Sequence, residues 1–82
     1  MHHPHAQDRW IKSLQQHAAA LAFPDWQPGP DDWTSLHTSF TPDGKPITEV
    51  AVYRGRERVH YARISGEDLM RFWTGLLKEV PE

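Results

Sequence analysis

Apolar and polar residues alternate along the segment ITEVAVYRGRERVHYARI, residues 47–64, and this pattern predicts two strands joined by a tight turn. The pair Gly55-Arg56 suits the two-residue turn of a β-hairpin. Closing the hairpin there gives the pairs Tyr53–Arg58, Val52–Val59, Ala51–His60 and Val50–Tyr61. One side then carries Val50, Val52, Val59 and Tyr61, and the other carries Glu49, Tyr53, Arg58 and His60. We expect this register because a one-residue slip would exchange the two sides.

A further strand is predicted over residues 33–40, before the tetrapeptide Thr41-Pro42-Asp43-Gly44. This tetrapeptide is typical of a type I turn followed by a left-handed glycine, a common three-residue hairpin loop. With Thr41 opposite Lys45, Leu36 lies opposite Val50 and joins the apolar side. The two predicted turns therefore agree on which side of the sheet is apolar.

Helical periodicity marks both ends of the chain. In residues 7–22 the apolar positions Trp10, Leu14, Ala18 and Leu21 fall on one helical face, which Ile11 widens. After Ser65, a predicted N-cap, a second helix is indicated by the apolar stripe of Leu69, Phe72, Trp73, Leu76, Leu77 and Val80, with Pro81 as its stop. Between the first helix and the sheet, residues 24–32 are expected to form an ordered loop held by Trp26.

These elements predict an α+β domain of order α-β-β-β-α, a three-stranded antiparallel meander with two helices packed on one face. Residues 1–6 are expected to form a flexible N-terminal tail and residues 7–82 a single domain. A chain of this size buries only roughly 60–65% of its unfolded surface. It has no cysteine, and therefore no disulfide to stabilise it, so self-association is expected.

The composition excludes several classes of function. The net charge of −2 argues against a general electrostatic attraction to nucleic acid. No apolar run is long enough for a signal peptide or a membrane span, so we expect no membrane contact and a cytoplasmic location. No phosphate-binding loop or nucleophile elbow is present. The chain is therefore expected to be non-enzymatic and to need no cofactor.

If both helices cover one face of the sheet, the other face is open. Its first row is Trp33, Tyr53 and Arg58, and residues of these types are enriched at binding hot spots. As cross-strand neighbours they would also stabilise the sheet, by roughly 0.2–1 kcal/mol per pair. The predicted contact residues are Trp33, Tyr53, Arg58, Ile47 and Ile64. The expected partner is a second copy of the chain, in a homodimer, or another protein.

A basic cluster around the second hairpin suggests weak nucleic-acid binding as an alternative, through Arg54, Arg56, Arg58 and Arg63. The α-β-β-β-α order is also that of double-stranded-RNA-binding domains. Those domains place lysines at the start of the final helix, where this chain has Ser65-Gly66-Glu67-Asp68, and carboxylates there repel phosphate. We therefore do not assign the chain to that family.

A metal or acid–base site is a further alternative. In the predicted register His37 lies opposite Glu49 with His60 on the diagonal, and these are ligand types of open Zn²⁺ or Fe²⁺ sites. A flat sheet face, however, supplies neither a cleft nor exclusion of water. The N-terminal Met1-His2-His3 has the donors for a square-planar Cu²⁺ or Ni²⁺ complex.

Overall fold

The computed structural model describes residues 4–79 and confirms the α+β fold with the order α-β-β-β-α. The elements are α1 (Pro4–Ala22), β1 (Asp32–Phe40), β2 (Pro46–Arg54), β3 (Glu57–Ser65) and α2 (Gly66–Glu79). Met1-His2-His3, the possible Cu²⁺ or Ni²⁺ site, and Val80-Pro81, the predicted end of α2, lie outside the described residues. No helix within residues 4–79 is both long enough and apolar enough to cross a bilayer.

Helix α1 begins at Pro4, three residues before the start that its apolar pattern predicts. Proline suits the first turn of a helix, because the amide hydrogen that it lacks has no partner there anyway. Ala18 and Ala19 are fully buried, and their small side chains let α1 lie close to the sheet. Trp10, predicted to be a core residue, is 49% exposed, so burial on α1 is concentrated toward its C-terminal half.

The strands form a sheet of order β1-β2-β3. The predicted register between β1 and β2 is confirmed, from Trp33 opposite Tyr53 to Leu36 opposite Val50. Its origin is the predicted turn: the Thr41 N–H donates to the Lys45 carbonyl at 2.8 Å, and Gly44 has φ of 84°. A left-handed backbone conformation at this position favours glycine, so the sequence of the turn sets the register of the two strands.

The register between β2 and β3 is predicted correctly only next to the turn. Tyr53 pairs with Arg58 as expected, but a β-bulge follows, and the next pairs are Val52–His60, Ala51–Tyr61 and Val50–Ala62. Val59 is the extra residue. Because two residues then oppose one, Val59 and His60 both lie on the helix side and every later residue of β3 changes side.

The physical reason for the bulge lies further along β3. In the regular register Arg63 would lie opposite Thr48, which is fully buried beneath the helices. The bulge instead pairs Arg63 with Glu49 on the open side and pairs Ile64 with Thr48 on the helix side. An unpaired buried arginine is strongly unfavourable, so the bulged register is the one that keeps this charge in solvent.

The core lies between the sheet and the two helices. Its fully or nearly buried members are Ala18, Ala19, Val50, Val52, Phe72 and Leu76. These residues come from α1, β2 and α2, which confirms that both helices pack on one face. Polar groups on this side are paired: Trp73 Nε1 donates to Thr48 Oγ1 at 3.0 Å, and Thr48 Oγ1 lies 3.1 Å from Thr38 Oγ1. Within the described residues, no buried side-chain polar atom lacks a partner.

Candidate functional site

We call the side of the sheet away from the helices the open face. Its cross-strand rows are Trp33–Tyr53–Arg58, Ser35–Ala51–Tyr61, His37–Glu49–Arg63 and Ser39–Ile47–Ser65. The large side chains are concentrated in the first three rows, at the end of the sheet nearest the β2–β3 turn. The candidate surface is therefore the part of the open face that these three rows form.

Trp33 is the most prominent side chain of this surface. Its ring is stacked on that of Tyr53, with centroids 4.2 Å apart and 11° between the planes. The indole Nε1 donates to the Gly55 carbonyl at 3.1 Å, which fixes the ring across the end of the hairpin. Trp33 remains 52% exposed while Tyr53 is only partly exposed, so the stack presents an ordered indole to solvent.

A second pair of side chains lies beside this stack. The Arg58 guanidinium is 4.4 Å from the centroid of the Tyr61 ring, and the Tyr61 hydroxyl donates to Glu49 at 2.8 Å. The hydrogen bond to Glu49, aided by desolvation, raises the pKa of Tyr61 above its usual value. Arginine, tyrosine and glutamate are thus held in one fixed arrangement across β2 and β3.

The surface differs in composition from the predicted set of contact residues. Ile64 packs against the core from the helix side, because the bulge moves it there. Ile47 is on the open side but only 6% exposed, and it lines a shallow pocket with Leu69 and Met70 at the start of α2. Neither isoleucine offers a contact surface. Three predicted residues remain, Trp33, Tyr53 and Arg58, to which the structure adds Tyr61 and Arg63.

The predicted histidine–glutamate metal site is not assembled. His60 lies on the helix side of the sheet, where its ring stacks on Phe23 with centroids 5.2 Å apart. His37 and Glu49 pair on the opposite side, so the sheet separates the two predicted imidazole ligands. Among residues 10–79, whose side chains the structure describes, no cluster of three or more histidine, aspartate or glutamate side chains is arranged to hold a metal ion.

The four arginines of the predicted nucleic-acid surface have different environments. Arg54 binds Asp32 through Nε at 2.8 Å and through a second nitrogen at 3.2 Å. Arg58 lies over Tyr61, Arg63 is exposed beside Glu49, and Arg56 is in the β2–β3 turn. Arg54 therefore remains at the surface, 55% exposed, but its charge is paired with the Asp32 carboxylate.

Asp32 organises the loop before β1, a role that the sequence analysis missed. Its carboxylate is 2% exposed and accepts hydrogen bonds from Arg54, from Trp26 Nε1 at 3.0 Å and from the Gly29 amide at 3.0 Å. The hydrogen bond from Arg54, with those from Trp26 and Gly29, holds the pKa of Asp32 far below its usual value. The predicted anchoring of the loop by Trp26 is confirmed, with Asp32 as the acceptor.

A cleft of about 340 Å³ separates this loop from α1 and β1, lined by Gln16, His17, Ala20, Trp26, Pro28, Gly29, Asp32, Trp33 and Thr34. Its strongest polar groups are already used. The Asp32 carboxylate has three partners, and the indole N–H groups of Trp26 and Trp33 donate within the chain. The cleft thus offers little polar recognition to a small ligand, and the open face remains the better candidate.

No protein-family model, curated protein or solved structure matches the chain.

Proposed function

We propose that the chain is a non-enzymatic protein-interaction module and that it binds its partner through the open face around Trp33. The observation that carries the proposal is the half-exposed indole of Trp33, held on Tyr53 by stacking and on Gly55 by a hydrogen bond. A large aromatic surface that is already ordered loses little conformational entropy on binding.

The neighbouring side chains support a protein partner. Arg58 and Tyr61 extend the aromatic surface, and both residue types are enriched at binding hot spots. The exposed surface on this side is thus supplied by the side chains of Trp33, Tyr61 and Arg58, and Ala51 between them is only 6% exposed.

A purely structural role is the competing interpretation, since each tyrosine of the surface packs against a neighbour, Tyr53 against Trp33 and Tyr61 against Arg58. Such pairs stabilise a sheet without any partner. They do not account for Trp33 itself, whose 52% exposure leaves a large apolar area in solvent at one end of the sheet.

The test compares proteins that the chain captures from an extract of its source cells. The variant Trp33→Ser/Tyr53→Ala removes the aromatic stack, and Leu77→Ser is the control, because Leu77 is 64% exposed but lies on α2. We expect a set of proteins that wild type and Leu77→Ser retain and that the double variant loses. Equal capture by all three chains, with the fold of each verified by circular dichroism, would remove the proposal.

Single-stranded nucleic acid is the second candidate, because Arg58 and Arg63 lie on the same face of the sheet as an exposed indole on which a base can stack. The net charge of −2 and the presence of Glu49 among these arginines disfavour it. Fluorescence anisotropy with a labelled oligonucleotide decides the matter. Binding that weakens steeply with added salt and is lost on Arg58→Ala/Arg63→Ala would favour nucleic acid over protein.

A further inference from the structure

The two edges of the sheet differ in how they are protected. Edge strands expose unpaired backbone groups, and proteins usually block them with charges, prolines or bulges. Strand β3 has the bulge at Val59 and the charged residues Glu57, Arg58 and Arg63. Strand β1 pairs regularly with β2 from Asp32 to Phe40, and it has no lysine, arginine, glutamate, aspartate or proline after Asp32. Only β3 therefore carries the usual protection.

The hydrogen bonds of the first hairpin identify the free groups of β1. Thr41 donates to Lys45, and bonded positions alternate along an antiparallel pair, so the odd-numbered residues of β1 bond to β2. The backbone groups of Thr34, Leu36 and Thr38 consequently point away from the sheet. Within residues 4–79, the loop before β1 forms a backbone hydrogen bond with only one outward-pointing group of the strand. That group is the Asp32 N–H, which donates to the Gly29 carbonyl at 3.2 Å.

The side chains of β1 are complementary to a second copy of the strand. In an antiparallel pair centred on Leu36, Leu36 meets Leu36, Thr34 meets Thr38 and Ser35 meets His37, so the central residues meet others of similar polarity. No carboxylate or cation between residues 33 and 40 opposes a like charge. Toward the ends, the small Ser39 leaves room for the indole of Trp33, and Asp32 lies opposite Phe40.

We propose that two copies of the chain pair antiparallel through β1, around Leu36, to form one continuous six-stranded sheet. The inference goes beyond the proposed function, since its hydrogen bonds come from the backbone edge of β1 and not from side chains of the open face. We infer that the strand pairing with this edge is β1 of a second copy, because that strand supplies an unprotected edge of the same length with complementary side chains. Both open faces then lie on the same side of one larger sheet.

The first test uses two substitutions at Thr38. Thr38→Pro removes an outward N–H that makes no bond to β2, and proline is accepted in edge strands. Thr38→Val keeps that N–H but, like proline, removes the hydroxyl that lies 3.1 Å from Thr48 Oγ1. We expect sedimentation to give twice the 9.5-kDa mass of the chain for wild type and Thr38→Val. For Thr38→Pro we expect dissociation to be favoured about 100-fold.

The second test uses charge and also examines the register. Ser35→Lys/His37→Lys places lysines opposite each other across the proposed pair, whereas Ser35→Glu/His37→Lys places opposite charges there. Both side chains are on the open face, so neither variant disturbs the core. We expect the lysine pair to give monomers and the glutamate–lysine pair to remain dimeric.

Three results would overturn the proposal. The first is a wild-type mass that stays at one chain up to about 1 mM, the affinity range of the weakest specific complexes. The second is a dimer that persists in Thr38→Pro or in the lysine pair, because the contact would then lie elsewhere. The third is a dimer abolished by Tyr53→Ala but not by the β1 variants, which would place self-association on the open face.

Discussion

The two faces of this sheet differ in what holds their large side chains in place. On the helix face, Val50, Val52 and Leu76 are completely buried, and the polar groups of Trp73 and Thr48 are paired with each other. On the open face, contacts run sideways between neighbouring strands, and Trp33 keeps half of its surface in solvent. The first face is organised for stability, and the second has ordered side chains that burial does not explain.

The largest expected effect is on the helix face. Leu76→Ala leaves a cavity beneath α2 and should lower the free energy of unfolding by about 2–5 kcal/mol. Leu77→Ala is the matched control on the same helix, because Leu77 is 64% exposed. It should change stability by less than about 0.5 kcal/mol. Urea unfolding of the two variants checks both values, and equal losses would contradict the burial pattern.

The polar pair of the helix face gives an intermediate effect. Thr48→Val keeps the shape of the side chain but leaves Trp73 Nε1 without its acceptor, at a cost of about 1–3 kcal/mol. Thr38→Val removes only the outermost hydroxyl of the hydrogen-bonded series Trp73–Thr48–Thr38, so it should lower the free energy of unfolding by less. A Thr48→Val variant as stable as wild type would show that Trp73 finds another acceptor.

Removing the exposed indole of Trp33 from the open face should have a small effect on stability. Trp33→Ser removes the stack on Tyr53 and is expected to cost about 0.5–1.5 kcal/mol. Chemical unfolding measures the change. A loss as large as that from Leu76→Ala would mean that Trp33 is a structural residue, and the contrast between the two faces would disappear.

The smallest effect concerns Tyr61 and depends on pH. The pKa of Tyr61 is raised in the folded state, so its hydrogen bond to Glu49 stabilises the protein below the ordinary tyrosine pKa of about 10. This contribution is lost as pH rises through the folded-state value. Tyr61→Phe should therefore lower stability slightly at neutral pH and flatten its decline in alkali. Parallel alkaline profiles for variant and wild type would contradict this.

The sequence predicted most of the fold because its two turns contain strong local signals. The turn at Gly44 has a single common geometry, and it fixed the register of β1 on β2 correctly. Gly55 fixed only the two pairs next to the turn, Arg54–Glu57 and Tyr53–Arg58, since the bulge at Val59 depends on packing further along the strand. The signal that was missed is Arg63, which the regular register places in the core opposite Thr48.

The candidate site was predicted in part for the same reason. The row of Trp33, Tyr53 and Arg58 lies between the β2–β3 turn and the bulge, so the regular register predicts it correctly. Beyond the bulge every residue changes side, which brings Tyr61 to the open face and takes His60 away from it. Asp32 was missed because its role depends on the loop around Trp26 and on Arg54, and no local pattern predicts such tertiary contacts.

The most direct test of the contact surface is hydroxyl-radical footprinting of the chain in buffer and in an extract of its source cells, at equal protein concentration. Any self-association is then the same in both samples. The account predicts that oxidation of Trp33 and Tyr61 falls in the extract while oxidation of the exposed Trp10 on α1 does not change. Unchanged oxidation of Trp33, or protection of Trp10 in its place, would contradict the assignment of the open face as the binding surface.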